Sequence, residues 1–340
     1  MSLPSPILTA MPENIPVADE RPFQSIQFVS PLLGPRILIT AAVHGNETHG
    51  TFAINRLKDQ LETGEIKLNR GVLTMIPVTN PKAYRLKRRM GDRNLNRRLA
   101  PTEQPQQYED HIANWLCPIL AQHDGLLDLH SFQTGDAPFA LFGPENNQGS
   151  LEPFNQAEIE EALVQRLGCS RYVYGWLDTY AKGIARRQKE VEAGRFSSHS
   201  VDTDPMYGVG TTEYMRSKGG WAITLECGQH DDINGREVAY KAIINTLIYV
   251  GLINGAEPEI AKNPQVLGLY DVLDRHHKDD EFDKEWKSFD AIYANTLIGT
   301  RADGSKILAE RDCFIVFPNV KSQAGQEWFY LAGVGSRMGS

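Results

Sequence analysis

Residues 36–50, R-I-L-I-T-A-A-V-H-G-N-E-T-H-G, decide the fold. The apolar run Ile37, Leu38, Ile39, Ala41, Ala42 and Val43 is nearly continuous rather than alternating, which suits a strand covered on both faces by helices. Ligands in such folds bind beyond the carboxyl ends of strands, where His44 sits. Gly45 lets the chain turn at little steric cost, and His44 and Glu47 can bring an imidazole nitrogen and a carboxylate oxygen to one point. Both are natural zinc ligands. The plainer alternative is a polar loop whose Glu and His cap the next helix.

Outward from this stretch, strand and helix patterns alternate. Residues 48–61 place Phe52, Ile54, Leu57 and Leu61 at helical spacing and stop at Gly64. A second apolar strand over 71–78 leads into Asn80-Pro81, a helix is expected over 108–120, and a strand over 124–130 ends on His130. Further on, 138–142 reads as a strand, 156–167 as a helix and 171–177 as an aromatic-rich strand with Tyr172, Tyr174 and Trp176. Residues 178–217 are polar and glycine-containing and read as loops covering a pocket, with short pieces of structure inside. A clear strand over 222–226 ends on Glu226, and a helix follows over 235–252. The class is therefore α/β.

Gly255 and Pro258 mark a boundary between an α/β domain, 1–254, and a small β-rich domain, 255–340. In the second, 266–272, 296–300, 306–308 and 313–317 read as strands. Residues 1–30 contain five prolines and form an extended lead-in with an edge strand at 26–29.

A chain of 340 residues accommodates two such domains. The balance of 35 Lys and Arg against 43 Asp and Glu, net -8, argues against a general nucleic-acid or anionic-membrane binder. Cys117, Cys169, Cys227 and Cys313 lie far apart and suit free thiols in a reducing compartment. With neither a signal-peptide pattern nor an apolar run of membrane-spanning length, the expected location is cytoplasmic.

Strand ends now supply His44 with Glu47, then His130, then Glu226. Two His and one Glu make the protein ligand set of a catalytic zinc, one ion per chain. Glu226 is then placed to take a proton from an attacking water and pass it on as general base and acid. Asp128, two residues before His130, shares its strand face and can accept its second N–H. For any one of these residues a core histidine or a salt bridge is the alternative. Residues 82–98 hold eight basic residues against one Asp, with Tyr84 the only aromatic, which fits a carboxylate-binding loop better than a nucleic-acid surface. Sequence alone does not sort Arg85, Arg88, Arg89, Arg93, Arg97 and Arg98 by role. The run 276–285, with His277, Asp279 and Asp280, has metal-ligand residue types but reads as a solvated loop.

The segments H-G-N-E at 44–47, N-P-K-A at 80–83, R-M-G-D-R-N-L-N-R at 89–97, D-L-H at 128–130 and L-E-C-G at 225–228 together resemble the succinylglutamate desuccinylase and aspartoacylase family. That family is related to the zinc carboxypeptidases. The resemblance covers nearly the whole chain after about residue 30 and implies a three-layer αβα domain with a mixed central sheet, followed by the β-rich domain. It assigns His44, Glu47 and His130 to zinc, Glu226 to acid/base work and Arg89 to the oxyanion. It gives Asn96 and Arg97 to a substrate carboxylate, Arg216 to a further carboxylate contact and Tyr330 to the family's C-terminal tyrosine. One departure stands out: Asn94 occupies the position of the usual acidic residue before L-N-R, a change of charge that would bear on how Arg97 is held.

The expected function is zinc-dependent hydrolysis of the amide bond of an N-acyl amino acid, or of a similar small anionic amide. A carboxypeptidase acting on a peptide or cell-wall peptide is the chemical rival, and a non-catalytic metal-binding or interaction protein the rival of another class. Neither nucleic acid nor membrane is an expected partner; the β-rich region could mediate self-association as a homo-oligomer.

Overall fold

The apolar run after Arg36 becomes a strand inside a mixed sheet. The structure, a computed structural model, describes residues 22–133, 137–196 and 201–338, so most of the proposed lead-in lies outside the described residues. Its strands are β1 (Ile26–Val29), β2 (Arg36–Ala41), β3 (Val72–Ile76), β4 (Gly125–Phe132), β5 (Phe139–Leu141), β6 (Arg171–Tyr174) and β7 (Trp221–Gln229). They continue as β8 (Gln265–Asp274), β9 (Glu281–Phe282), β10 (Ala291–Ile292), β11 (Leu297–Thr300), β12 (Lys306–Leu308), β13 (Cys313–Val316) and β14 (Glu327–Val334). The helices are α1 (His49–Glu62), α2 (Pro81–Leu86), α3 (Tyr108–Ala121), α4 (Ala157–Val164), α5 (Trp176–Glu192), α6 (Thr211–Ser217) and α7 (Gly235–Tyr249).

Eleven strands form one sheet in the order β1-β3-β2-β4-β7-β5-β6-β8-β14-β13-β10; β12-β11-β9 make a second, small sheet. At its centre β3, β2, β4 and β7 run parallel. Ile37, Ile39 and Ala41 pack under α1, α4 and α7, whereas Leu38 packs with α3 and Met215 of α6. Helices on both faces explain why β2 shows no alternation: both sets of side chains are buried. This α/β architecture has the mixed central sheet that was expected. The ladder also crosses residue 255, because β8 pairs in parallel with β6 and then antiparallel with β14.

Two of the longer elements differ from the expectation. Residues 176–192 form α5 rather than a loop, with Leu177, Tyr180, Ile184 and Arg187 on its buried side. Polar Arg186, Gln188 and Lys189 hid the periodicity, and the buried positions include an arginine. The remainder of the 178–217 segment holds a 3₁₀ turn at Pro205–Gly208 and the helix α6; residues 197–200 lie outside the described residues. The second is β14, which sequence reading passed over although it pairs along most of β8.

After β2 the chain turns at Gly45 as expected, Glu47 N–H donating to His44 O at 3.1 Å, but Gly45 is not the left-handed residue. The left-handed residue is Ala42, with φ 48°, an uncommon conformation for a side chain with a Cβ. It is over-determined by Asn80 N–H donating to Ala42 O at 3.0 Å and Thr79 N–H to Ala41 O at 2.9 Å. Gly45 instead answers to crowding: a Cβ there would lie 2.0 Å from the carbonyl carbon of Ala83 and 2.1 Å from Tyr84 N. The His44–Glu47 turn and α2 are thus in close backbone contact. Gly45→Ala is expected to lower unfolding free energy by about 1–3 kcal/mol or more, since the backbone of 83–84 must move; chemical denaturation measures this.

Candidate metal centre

Parallel register brings the candidate residues together. Thr40 of β2 lies opposite Asp128 of β4, and His130 of β4 opposite Glu226 of β7. Asp128, His130 and Glu226 therefore project to the same face, the one covered by α3 and α6. His44 and Glu47 arrive from the turn between β2 and α1. His44 Nδ1 lies 2.9 Å from Glu47 Oε1, and His130 Nδ1 lies 2.9 Å from Glu47 Oε2. Ligand atoms of His44, Glu47 and His130 all lie within 4.8 Å of one another, the one such group of His, Cys, Asp or Glu among the described residues.

Whether this cluster suits a metal can be judged from its hydrogen bonds. Each histidine already uses its outer nitrogen: Nε2 of His44 is 2.9 Å from Asn94 Oδ1, and Nε2 of His130 is 2.9 Å from Asp128 Oδ2. Donation outward leaves both Nδ1 lone pairs facing the acceptor Glu47, and His44 Nδ1 is buried without a hydrogen bond. Lone pairs from two imidazoles and a carboxylate converging in a buried space fit a divalent cation. Asp128, with no exposed surface, also accepts from Thr40 Oγ1 at 2.6 Å and Thr211 Oγ1 at 2.5 Å.

Electrostatics separate the two carboxylates. Burial would raise the Glu47 pKa, but His44 and His130 outweigh it and hold it well below the usual range. For Glu226, burial and the nearby Glu47 charge push the pKa up to about 8, and its Oε2 is buried with no partner. His44 is pushed down to about 4 by burial and Arg89, whereas the Asp128 charge outweighs burial at His130 and raises it well above the usual value.

The basic segment is sorted by contact. Arg89 is half-exposed and donates from Nη1 to Glu47 Oε1 at 3.0 Å. Arg97 is buried; its Nε donates to Tyr180 Oη at 2.9 Å and its Nη1 to Asn96 O at 2.8 Å. Its guanidinium lies 5.2 Å from the Trp176 ring centroid and 4.9 Å from that of Tyr180. Tyr330, on β14, stacks on Trp176 at 5.2 Å, and its hydroxyl is buried without a hydrogen bond. Asn96 accepts at Oδ1 from Thr211 N–H, which ties it to the start of α6. Arg93 and Arg98 are paired with Asp110 and Asp202.

Arg216 is not presented to a ligand-sized opening. It is buried, with Nε donating to Glu160 at 2.9 Å, Nη1 to Glu152 at 2.9 Å and Nη2 to Ala222 O at 2.7 Å. Neither does the 276–285 run make a metal site: Asp280 accepts from the His276 and His277 backbone and pairs with Arg301, while His277 and Asp279 are exposed. Sequence reading missed Glu109. This fully buried side chain accepts from the backbone N–H groups of Gly91, Asp92 and Arg93 and from Asn80 Nδ2, which gives the arginine loop its shape. The available signal was an acidic residue in the first turn of α3. Missed as well was Glu327, which faces Arg187 at 2.6 Å beside the Arg97 box.

The donor set is of the residue types and spacing that hold a divalent cation. Residues 33–163 match the family model described as the succinylglutamate desuccinylase/aspartoacylase catalytic domain. Over 165 residues it is 30% identical to a succinylglutamate desuccinylase of Pseudomonas paraeruginosa, a match covering 44% of this chain and 49% of that one. A probable aspartoacylase of Prochlorococcus marinus is 32% identical over 101 residues, covering 28% of this chain and 33% of that protein. These alignments thus span half or less of either curated relative. The crystal structure of a succinylglutamate desuccinylase/aspartoacylase from Rhodobacter sphaeroides shares the fold, with a TM-score of 0.64, 18% identity and coverage of 89% of this chain and 87% of that one.

Two outcomes check the site. Arg216→Leu is expected to destabilise the protein by about 3–5 kcal/mol, because it strands buried Glu160 and the partly buried Glu152 without a counter-charge, as equilibrium unfolding would report. For Glu226, whose folded pKa is raised to about 8 from 4.5, the stabilising contribution is full below 4.5 and lost as pH rises through 8. In chelator-treated protein, the fall of Tm between about pH 5 and about pH 8 should therefore be smaller in Glu226→Gln than in wild type.

Proposed function

We propose that this protein is a zinc-dependent hydrolase that cleaves the amide bond of an N-acyl amino acid, or of a similar small amide bearing a carboxylate. The observation that carries this reading is the buried His44, Glu47 and His130 donor set with the unpartnered Glu226 carboxylate on the adjacent strand. Desuccinylases and aspartoacylases among its relatives point the same way for substrate class.

His44, Glu47 and His130 would hold the ion. Zinc bound there would supply Lewis acidity at the scissile carbonyl and lower the pKa of water. Glu226 holds and moves the proton: as carboxylate it takes one from the attacking water and passes it to the departing nitrogen. Arg89 is half-exposed and within reach of Glu47, so its donors serve the oxygen on which negative charge develops. Asn96 and Arg97 take the substrate carboxylate. The Asn96 oxygen is committed to Thr211 and leaves its amide NH₂ to donate, while Trp176, Tyr180 and Tyr330 wall the guanidinium in a low-dielectric box. Asp128 orients His130.

The test is a screen of zinc-loaded protein against N-acetyl amino acids, N-succinyl amino acids and dipeptides. Hydrolysis confined to acyl amino acids with a free carboxylate is expected; preference for dipeptides would replace this reading by a carboxypeptidase, and no turnover of any class would favour a binding protein. Glu226→Gln should keep its zinc and lose turnover by about 10²–10⁴-fold, as expected for removal of a general base. His44→Ala and His130→Ala should lose the metal instead, which metal analysis distinguishes.

A further inference from the structure

The two histidines of the cluster are backed by different chemistry. His130 Nε2 meets a carboxylate, Asp128, itself held by two threonine hydroxyls. His44 Nε2 meets an amide oxygen, Oδ1 of Asn94, at 2.9 Å. That same oxygen accepts from the backbone N–H of Asn96 at 3.0 Å, and the Asn94 carbonyl accepts from Arg97 N–H at 3.2 Å. One side chain therefore touches a metal-site histidine on one side and the segment carrying Asn96 and Arg97 on the other.

An amide oxygen cannot take the proton from Nε2, so it accepts it as a hydrogen bond and holds the tautomer whose Nδ1 lone pair faces Glu47. Asn is neutral and adds no negative charge beside His44, in contrast to the carboxylate behind His130. Orientation and charge are thereby separated at this ligand. We propose that Asn94 is a positioning residue: its Oδ1 fixes the tautomer and ring direction of His44 and, through Asn96 N–H, sets the substrate-arginine segment to the same reference point. Metal occupancy and order of residues 94–97 are then linked. This rests on the zinc reading above for the identity of the ion, though not on any substrate.

The experiment compares wild type, Asn94→Ala and Asn94→Asp by titration with Zn²⁺ against a chromophoric chelator and by the visible absorption of the Co²⁺-loaded proteins. Asn94→Ala should bind metal about 10–100-fold more weakly, the range for loss of a ligand's hydrogen-bond partner. Asn94→Asp keeps the acceptor and should recover wild-type affinity or exceed it, with a shifted Co²⁺ spectrum because a carboxylate draws more strongly on Nε2–H. In wild type, metal addition should slow hydrogen exchange across 94–97; in Asn94→Ala it should not.

Wild-type affinity in Asn94→Ala, or an Asn94→Asp variant no better than Asn94→Ala, overturns the role at His44. Exchange across 94–97 that ignores metal in wild type overturns the link to the arginine segment. Should Asn94→Ala fail to fold, Asn94→Asp decides: affinity and Co²⁺ spectrum both unchanged overturn the proposal. Absence of metal binding by wild type would sink the zinc reading itself and is distinguishable from all of these.

Discussion

A single carboxylate with no exposed surface, Asp128, joins three elements of the molecule at the site. It accepts from Thr40 on the neighbouring strand, from Thr211 at the start of α6 and from His130 on its own strand. A buried charge of this kind is tolerable only when its lone pairs are met, and here each contact also places a working element. The sheet register that brings Thr40 opposite Asp128 brings His130 opposite Glu226. Burial disfavours charge on both carboxylates, yet Asp128, beside His130, is held below its usual range while Glu226, beside Glu47, is raised. Neighbours rather than depth decide which carboxylate stays charged and which is driven toward its neutral form.

A second buried carboxylate governs the basic loop. Glu109 collects three consecutive backbone N–H groups and the Asn80 side chain, so the loop's shape is set from beneath while its arginines are divided among different tasks. Arg93 is spent on Asp110, Arg98 on Asp202, Arg89 reaches toward Glu47, and Arg97 enters the aromatic box. A segment that is uniformly basic in composition is thus heterogeneous in environment.

Much of the centre was legible because its residues fall where strands end. Ile37 to Val43, Leu126 to His130 and Ala222 to Glu226 are short apolar runs that terminate in His or Glu, and apolar run plus polar terminus is information carried by neighbouring letters. What depends on distant packing was not legible. Gly45 does lie in the His44–Glu47 turn, but what requires a glycine there is the close approach of Ala83, and the left-handed residue is Ala42. The Asn94 substitution appeared to concern Arg97, yet its side chain meets His44 as well, across fifty residues of chain. Arg216 and Arg187 were hidden for a related reason: each charge is buried against acidic partners far away in sequence, which no local pattern announces.

The aromatic box around Arg97 is closed by β14, which is hydrogen-bonded to β8 and brings Tyr330 and Glu327 to a residue more than two hundred positions earlier. Order of synthesis then separates two events. The metal donors are all present once β4 has emerged, and Glu226 follows with β7, whereas the box is completed only by one of the last strands of the chain. During elongation the three candidate donors are therefore made well before the wall on the arginine side.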